Sequence, residues 1–327
     1  MIDNKINLGF FPTPLHQLKH LSETYSNYTI YIKRDDQTGL ASGGNKTRKL
    51  EYLIKQAIDN HCDTVITAGA QQSNHCRQTA AACAIAGLEC HLLLGGEKPG
   101  IYDGNLLLSS ILGANIHFTG ENRKGEDIEI IKSELESQGK RCYVIPYGGS
   151  NLIGALGFMN AVKELKAQLH QHELKIDYIC FASSSGGMQA GLTLGKMIYD
   201  LQSELVPISI DKDESNGRSL EEVVLDIVKE GMTRLHISST ISLSDVKLNR
   251  DYDGDGYGQV TSKEIKAIST LAKAEGILLD PVYTGRAFYG MLDILEKKKL
   301  PKGSKVLFWH TGGLPAIFKY AEDINAI

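Results

Sequence analysis

Short apolar runs alternate along the chain with longer segments in which apolar residues recur every three to four positions. An extended lead-in, Phe10-Phe11-Pro12-Thr13-Pro14-Leu15, precedes a short helix and a strand over 29–33. A helix then opens at Lys46, with Leu50, Leu53, Ile54, Ala57 and Ile58 at i, i+3, i+4, i+7, i+8 spacing. From there the pattern predicts strands over 63–68, 89–94, 115–119 and 141–146, separated by helices over 73–86, 104–112 and 126–137. A second series predicts strands over 178–182, 206–210, 277–280 and 305–309 among helices over 152–171, 187–200, 220–230, 262–275 and 285–297. Such βα repetition with short apolar strands implies an α/β protein whose parallel sheets are covered on both faces. Gly148-Gly149-Ser150-Asn151 interrupts the alternation and reads as the crossover between two α/β units.

The stretch Ser42-Gly43-Gly44-Asn45-Lys46-Thr47-Arg48-Lys49 is the first candidate for chemistry. Asn45 is a good N-cap residue, which leaves Lys46 in the first turn, where the positive end of the helix dipole disfavours an ammonium. Arg48 and Lys49 add positive potential. A lysine so placed is pushed toward the neutral, nucleophilic form needed for Schiff-base chemistry. The plainer reading is a solvated basic turn. Residues 39–47 approach a phosphate-binding P-loop, but Asn45 separates the last glycine from the lysine, and that pattern needs them adjacent. The preceding segment, 31–36, is also too charged at its end for a buried first strand, and both features argue against a nucleotide triphosphatase.

Three more junctions between strands and helices carry polar or small residues. In Gly69-Ala70-Gln71-Gln72-Ser73-Asn74-His75, a helix starts at Ser73 and leaves the amides of Asn74 and His75 open to an anion; simple capping is the plainer alternative. Ser183-Ser184-Ser185-Gly186-Gly187-Met188 lets several amides converge at a helix N-terminus, as a phosphate requires, or makes only a tight turn. His310-Thr311-Gly312-Gly313 follows an apolar strand. Ligands of parallel sheets bind beyond the carboxyl ends of strands, so these junctions can share one cleft. A helix-start lysine and a phosphate cradle are the pair that pyridoxal phosphate needs.

These stretches, with GGSNLIGALGF and LDPVYTGRAFYGM, together resemble the D-cysteine desulfhydrase and 1-aminocyclopropane-1-carboxylate deaminase family, in a consistent order from Pro12 to Phe318. That family is a branch of the tryptophan-synthase-β-like, fold type II pyridoxal-phosphate enzymes. The resemblance implies two open, twisted, mainly parallel sheets flanked by helices. It implies a large cofactor-binding domain from 1–45 plus 159–327, a small inserted domain from 46–158, the cofactor between them, and a homodimer. It makes Lys46 the lysine that holds the cofactor aldehyde and Asn74 the partner of the phenolic oxygen. Ser185, Gly186, Gly187 and Met188 become the phosphate loop, with Met188 a departure that leaves phosphate contacts to backbone amides. Ser73, Asn74 and His75 would take the carboxylate of a small amino-acid substrate. Tyr257, Tyr283, Thr311 and Gly312 would face that substrate, and Thr284 would hydrogen-bond the pyridine nitrogen.

Two positions separate the siblings: the deaminases of the family carry Glu where this chain has Thr284, and Leu where it has Thr311. His75, where deaminases carry Gln, agrees with the desulfhydrases. The implied reaction is β-elimination of D-cysteine to pyruvate, hydrogen sulfide and ammonia, with Lys46 or Tyr283 as the Cα base. The sibling deaminase reaction, giving 2-oxobutanoate and ammonia, is the alternative.

Composition narrows the class further. A formal charge of −4 over 327 residues argues against a nucleic-acid binder. The amino terminus lacks a signal peptide's basic flank and apolar core, no apolar run reaches membrane-spanning length, and the six cysteines form no C-x-x-C pair. A cytoplasmic enzyme is expected. Asp251-Tyr252-Asp253-Gly254-Asp255-Gly256 matches the opening of an EF-hand calcium loop, but Ser262 stands where a bidentate Glu is required. The stretch reads as an acidic active-site loop carrying Tyr257, and a non-enzymatic calcium-loop protein is the reading it displaces.

Overall fold

The computed structural model describes residues 3–211, 217–254 and 256–325. In chain order its strands are β1 (Leu15–Gln17), β2 (Thr29–Arg34), β3 (Thr64–Ala70), β4 (Glu89–Gly95), β5 (Asn115–Phe118), β6 (Cys142–Val144), β7 (Tyr178–Ser183), β8 (Glu204–Ser209) and β9 (Lys305–His310). The helices are α1 (Lys19–Thr24), α2 (Lys46–Asp59), α3 (Asn74–Ala86), α4 (Gly104–Ile111), α5 (Ile128–Ser137), α6 (Leu152–Gln171), α7 (Gly187–Tyr199), α8 (Leu220–Arg234), α9 (Ser262–Glu275), α10 (Thr284–Glu296) and α11 (Ala321–Asn325).

Two sheets result, one ordered β1-β2-β9-β7-β8 and the other β5-β4-β3-β6. Every pairing is parallel except that of β1 with β2. Strand β9 shows why its sequence is apolar throughout. Phe308 faces a core shared with α9 and α10, while Leu307 and Trp309 face another shared with α6 and α7. The second sheet is covered likewise, by α2 and α3 on one side and α5 on the other. All four of its strands come from residues 64–144, and α6 packs against both α2 and α7, linking the layers. No helix among the described residues is long and apolar enough to cross a membrane.

Two expectations fail. Residues 277–280 are not a strand. Ile277 and Leu279 are buried, but this segment reaches no sheet edge, and the Leu278 carbonyl accepts the His310 ring nitrogen at 3.0 Å instead. The charged segment ending in Arg34, judged too polar for a buried first strand, is an interior strand. Lys33 is fully buried there because its ammonium pairs with Glu164 and donates to the Thr13 carbonyl and Gln168 Oε1, both at 2.7 Å.

Candidate active site

The helix that starts at Lys46 buries Leu50, Leu53, Ile54 and Ala57, as its spacing requires, and leaves Ile58 more exposed. Its N-terminus is not capped by Asn45, whose backbone is already helical and whose amide lies 3.6 Å from the Met188 sulfur. Gln78 on α3 performs the capping, with Oε1 accepting from the Thr47 amide at 2.8 Å. The residues after Lys46 also part company. Successive helical residues are about 100° apart, so Arg48 points away from Lys46, to Asp35 (2.7 and 2.8 Å) and Glu164 (2.9 and 3.0 Å). Lys49, at i+3, lies on the same face. The Lys46 and Lys49 ammonium groups both reach the Gly148 carbonyl, at 3.2 and 2.9 Å, and Lys49 also reaches Ser150 Oγ at 3.1 Å.

One cavity gathers the carboxyl ends of β3, β7 and β9 around these lysines. Of the residues singled out from sequence, Lys46, Ser73, Asn74, His75, Ser185, Gly186, Met188, Tyr283 and Thr311 line it. Gly187 sits just behind, its amide donating to Ser150 Oγ at 3.2 Å. Tyr257 joins through its phenol, 2.7 Å from that of Tyr283, with the Arg123 guanidinium 4.7 Å from its ring centre. Gly312 closes a turn on His310 Nδ1 (3.2 Å). Thr284 is not in the wall. It is fully buried behind Tyr283, its hydroxyl proton given to Asp280 Oδ1 at 2.7 Å. Asp280 also takes the amides of Val282, Tyr283 and Thr284, and so fixes the elbow that presents Tyr283.

Sequence reasoning missed Lys49, Tyr147, Gly148 and Ser150. The i, i+3 relation to Lys46 was a signal for Lys49, and Gly148-Gly149-Ser150 is a glycine junction after β6 of the same kind as the other three. Its Ser150 hydroxyl donates to Ser185 Oγ at 2.8 Å, so this turn and the Ser185-Gly186 loop form one wall.

Electrostatics follow from burial. Desolvation pulls Lys46 down to about 8 and Lys49 well below the ordinary lysine value, with the nearby Lys46 charge adding to the shift at Lys49. The shift at Lys46 has the direction expected from the sequence, but removal from water drives it rather than the charges of Arg48 and Lys49. The His75 ring is held neutral by burial, then by the Lys46 and Lys49 charges. Its tautomer is determined as well. The Thr67 hydroxyl gives its proton to the Ile145 carbonyl (2.8 Å), so it accepts from His75 Nε2 (2.9 Å), and Nδ1 is a bare acceptor with no partner among the described residues. The Tyr257 and Tyr283 phenols are pushed well above the ordinary tyrosine value, first by burial. No carboxylate lines the cavity among the described residues. A wall with two desolvated amines, serine hydroxyls and no anion is built for an anionic ligand.

The comparisons agree. The family described as "Pyridoxal-phosphate dependent enzyme" matches residues 6–312. This chain belongs to the pyridoxal-phosphate dependent enzymes. It is 41% identical to a D-cysteine desulfhydrase of Yersinia enterocolitica, over 95% of this chain and 94% of that protein. It is 37% identical to the mitochondrial bifunctional D-cysteine desulfhydrase/1-aminocyclopropane-1-carboxylate deaminase of Arabidopsis thaliana, over 98% of this chain and 81% of that one. A crystal structure titled as an ACC deaminase homologue superposes with a TM-score of 0.90 at 37% identity, covering 99% of this chain and 96% of that one.

The residues present fit the cofactor. Gly186 at φ +82° opens α7, and a Cβ at Gly187 would stand 2.7 Å from Lys49 Nζ and 2.8 Å from Ser150 Oγ, so only glycine lets these two donors close on the start of the helix, where an anion such as a phosphate would be met by side-chain and backbone donors together. Among the described residues no group of three or more His, Cys, Asp or Glu side chains is placed to hold a metal, and Asp255 lies outside those residues.

Proposed function

We propose that this chain is a D-cysteine desulfhydrase, releasing pyruvate, hydrogen sulfide and ammonia by pyridoxal-phosphate-dependent β-elimination. The observation that carries the reading is the wall of the cavity: Thr311 stands in it, and no carboxylate among the described residues reaches the lining. Bound pyridoxal phosphate supplies an aldehyde that condenses with amines and a ring that accepts the electrons of a Cα carbanion. A ring that met a neutral hydroxyl and no carboxylate would be a moderate electron sink, sufficient for loss of a good β leaving group. The two hydroxyls differ in supporting this: Thr311 stands in the lining, whereas Thr284 has spent its proton on Asp280.

Lys49, Ser150, Ser185 and Gly186 would hold the phosphate, and Lys46 would hold the aldehyde. The Ser73 hydroxyl accepts from the Cys76 amide at 3.2 Å, so its own proton is left for the substrate carboxylate, beside the first-turn amides of α3. Lys46, once its amine is freed from the aldehyde by the substrate's own amine, would take the Cα proton at Nζ, its burial pulling the free amine down to about 8. Tyr283 keeps its proton and is a donor to the departing sulfur rather than a base, with Tyr257 hydrogen-bonded behind it. All six cysteines are free thiols, which suits a reducing cytoplasm. Exposed Ile101, Leu107, Ile111, Leu314 and Phe318 offer a face for a second copy of the chain.

The Arabidopsis relative's bifunctional name supports a second reading, ring opening of 1-aminocyclopropane-1-carboxylate. Parallel assays of sulfide and pyruvate from D-cysteine and of 2-oxobutanoate from the cyclopropane decide between them. A kcat/KM higher for the ring substrate refutes the proposal.

A further inference from the structure

We infer that Arg77 and Asn105 are positioning residues whose hydrogen bonds compel the side-chain amide of Asn74 to present its N–H groups, and not its oxygen, to the cavity. The inference rests on the cofactor placement proposed above.

Arg77 lies on α3 and is fully buried, yet no carboxylate pairs with it among the described residues. A guanidinium has donors only. Its Nε donates to Asn105 Oδ1 at 2.7 Å, which forces the Asn105 oxygen toward Arg77 and the Asn105 nitrogen away from it. That nitrogen has two protons and gives them to two oxygens, the Gln72 carbonyl and Asn74 Oδ1, each at 2.9 Å. With its oxygen so engaged, Asn74 turns Nδ2 to the cavity that it lines with Lys46. The oxygen and nitrogen of an amide are often interchangeable in a hydrogen-bond network. Here the sequence of bonds begins at a group that cannot be reversed, so every later direction follows from it.

The other arm of the guanidinium serves the opposite wall. Nη1 and Nη2 donate to the carbonyls of Ala41 and Gly43, the latter at 3.1 Å. These residues belong to the left-handed run Ala41, Ser42, Gly43 and Gly44 that leads into Lys46. One interior cation therefore holds both the approach to Lys46 and the polarity of Asn74, which accounts for a buried arginine without an anionic partner.

An N–H at the cofactor's phenolic oxygen stabilises negative charge there; a carbonyl oxygen in the same place repels it. Losing the donor raises the pH at which the bound chromophore gives up its proton. The test is a pH titration of visible absorbance, on purified holoenzyme without substrate, of the wild type, Asn74→Ala, Asn105→Asp and the double variant. Asn105→Asp keeps the acceptor for Arg77 but has no proton for Asn74, whose amide then reverses to donate to the new carboxylate. The expected result is a midpoint raised by about one pH unit or more, a tenfold change in proton affinity, in each single variant. In the Asn74→Ala background the second substitution adds nothing. If Asn105→Asp does not fold, Asn105→Ala replaces it, with a smaller shift of the same sign that again vanishes without Asn74. A wild-type midpoint in the Asn105 variant, beside a shifted one in Asn74→Ala, overturns the relay. So does an Asn105 shift of equal size in both backgrounds. An unshifted Asn74→Ala overturns the placement of Asn74 against the cofactor, and the inference falls with it.

Discussion

Replacing Arg286 by methionine tests how the loop bearing Tyr257 is held. Arg286 is the third residue of α10 and is 1% exposed. Its Nε pairs with Glu264 at 2.9 Å; Nη1 donates to the carbonyls of Ile210 (2.7 Å), Asp253 (2.7 Å) and Gly256 (2.9 Å), and Nη2 to that of Gln259. The loop that resembles a calcium site is thus wrapped around a guanidinium belonging to the protein itself. Removing one member of a buried ion pair costs about 3–5 kcal/mol because the other charge stays behind. Each carbonyl left without a donor adds about 1–3 kcal/mol if it stays dry, but the loop can swing those groups into water. About 4 kcal/mol is therefore the expected loss for Arg286→Met, measured by urea unfolding of the holoenzyme. The loosened loop should exchange its amides over 253–259 faster, and kcat/KM should fall at least tenfold as Tyr257 leaves the Tyr283 phenol. Arg286→Lys, which reaches fewer carbonyls, should lie in between. A methionine variant within about 0.5 kcal/mol of wild type, the range of a neutral surface change, with unaltered exchange in the loop, would refute the clamp.

Gly148→Ala should give a folded but pale protein with cofactor affinity weakened about a hundredfold by fluorescence titration. Gly148 has φ +64°, and an added Cβ would stand 2.3 Å from Ser185 Oγ; undiminished affinity would show that this turn does not shape the cofactor site. Tyr283→Phe should lower kcat about a hundredfold with KM little changed, as expected of a proton donor that acts as the bond breaks, and a change confined to KM would count against it. The stability of cofactor-free enzyme should depend on pH through Lys46. Its folded value, about 8, lies below the ordinary 10.5, so between those values the unfolded chain holds a proton that the folded one has released. Stability then rises with pH across that window. Relative to Lys46→Met, wild type should gain in urea unfolding between about pH 7.5 and 9.5, and a constant difference between the two would show that Lys46 is not desolvated.

The alternation of periods was enough to read the βα order, because each strand of a covered parallel sheet must be apolar on both faces and each covering helix on one. It failed over 277–280, where the same apolar signal serves an extended segment that reaches no sheet edge. The strand order was not legible either, since nothing local to β9 states that it inserts between β2 and β7. At the site, the glycine and serine junctions were visible because only small residues let a backbone close on a ligand. The supporting shell was not. Arg48, Lys49, Arg77 and Arg286 look alike in a sequence, and only the fold shows which cations are given anions.

That division of cations has a consequence of its own. Lys33 and Arg48 share Glu164, and Arg286 has Glu264, so these three buried cations are neutralised within the chain. Lys46, Lys49 and Arg77 have carbonyls, amides and hydroxyls for partners, but no carboxylate among the described residues. Desolvation of such cations opposes folding, and a dianionic phosphate at Lys49, as proposed above, would relieve it. The cofactor is then part of the fold's electrostatic balance as well as its chemistry. Its binding should stabilise the chain by mass action, and the increment should fall most sharply when Lys49 is replaced by a neutral residue. The neutral variant should also be the more stable of the two without cofactor, because the cation that the phosphate serves is a burden to the chain that has none.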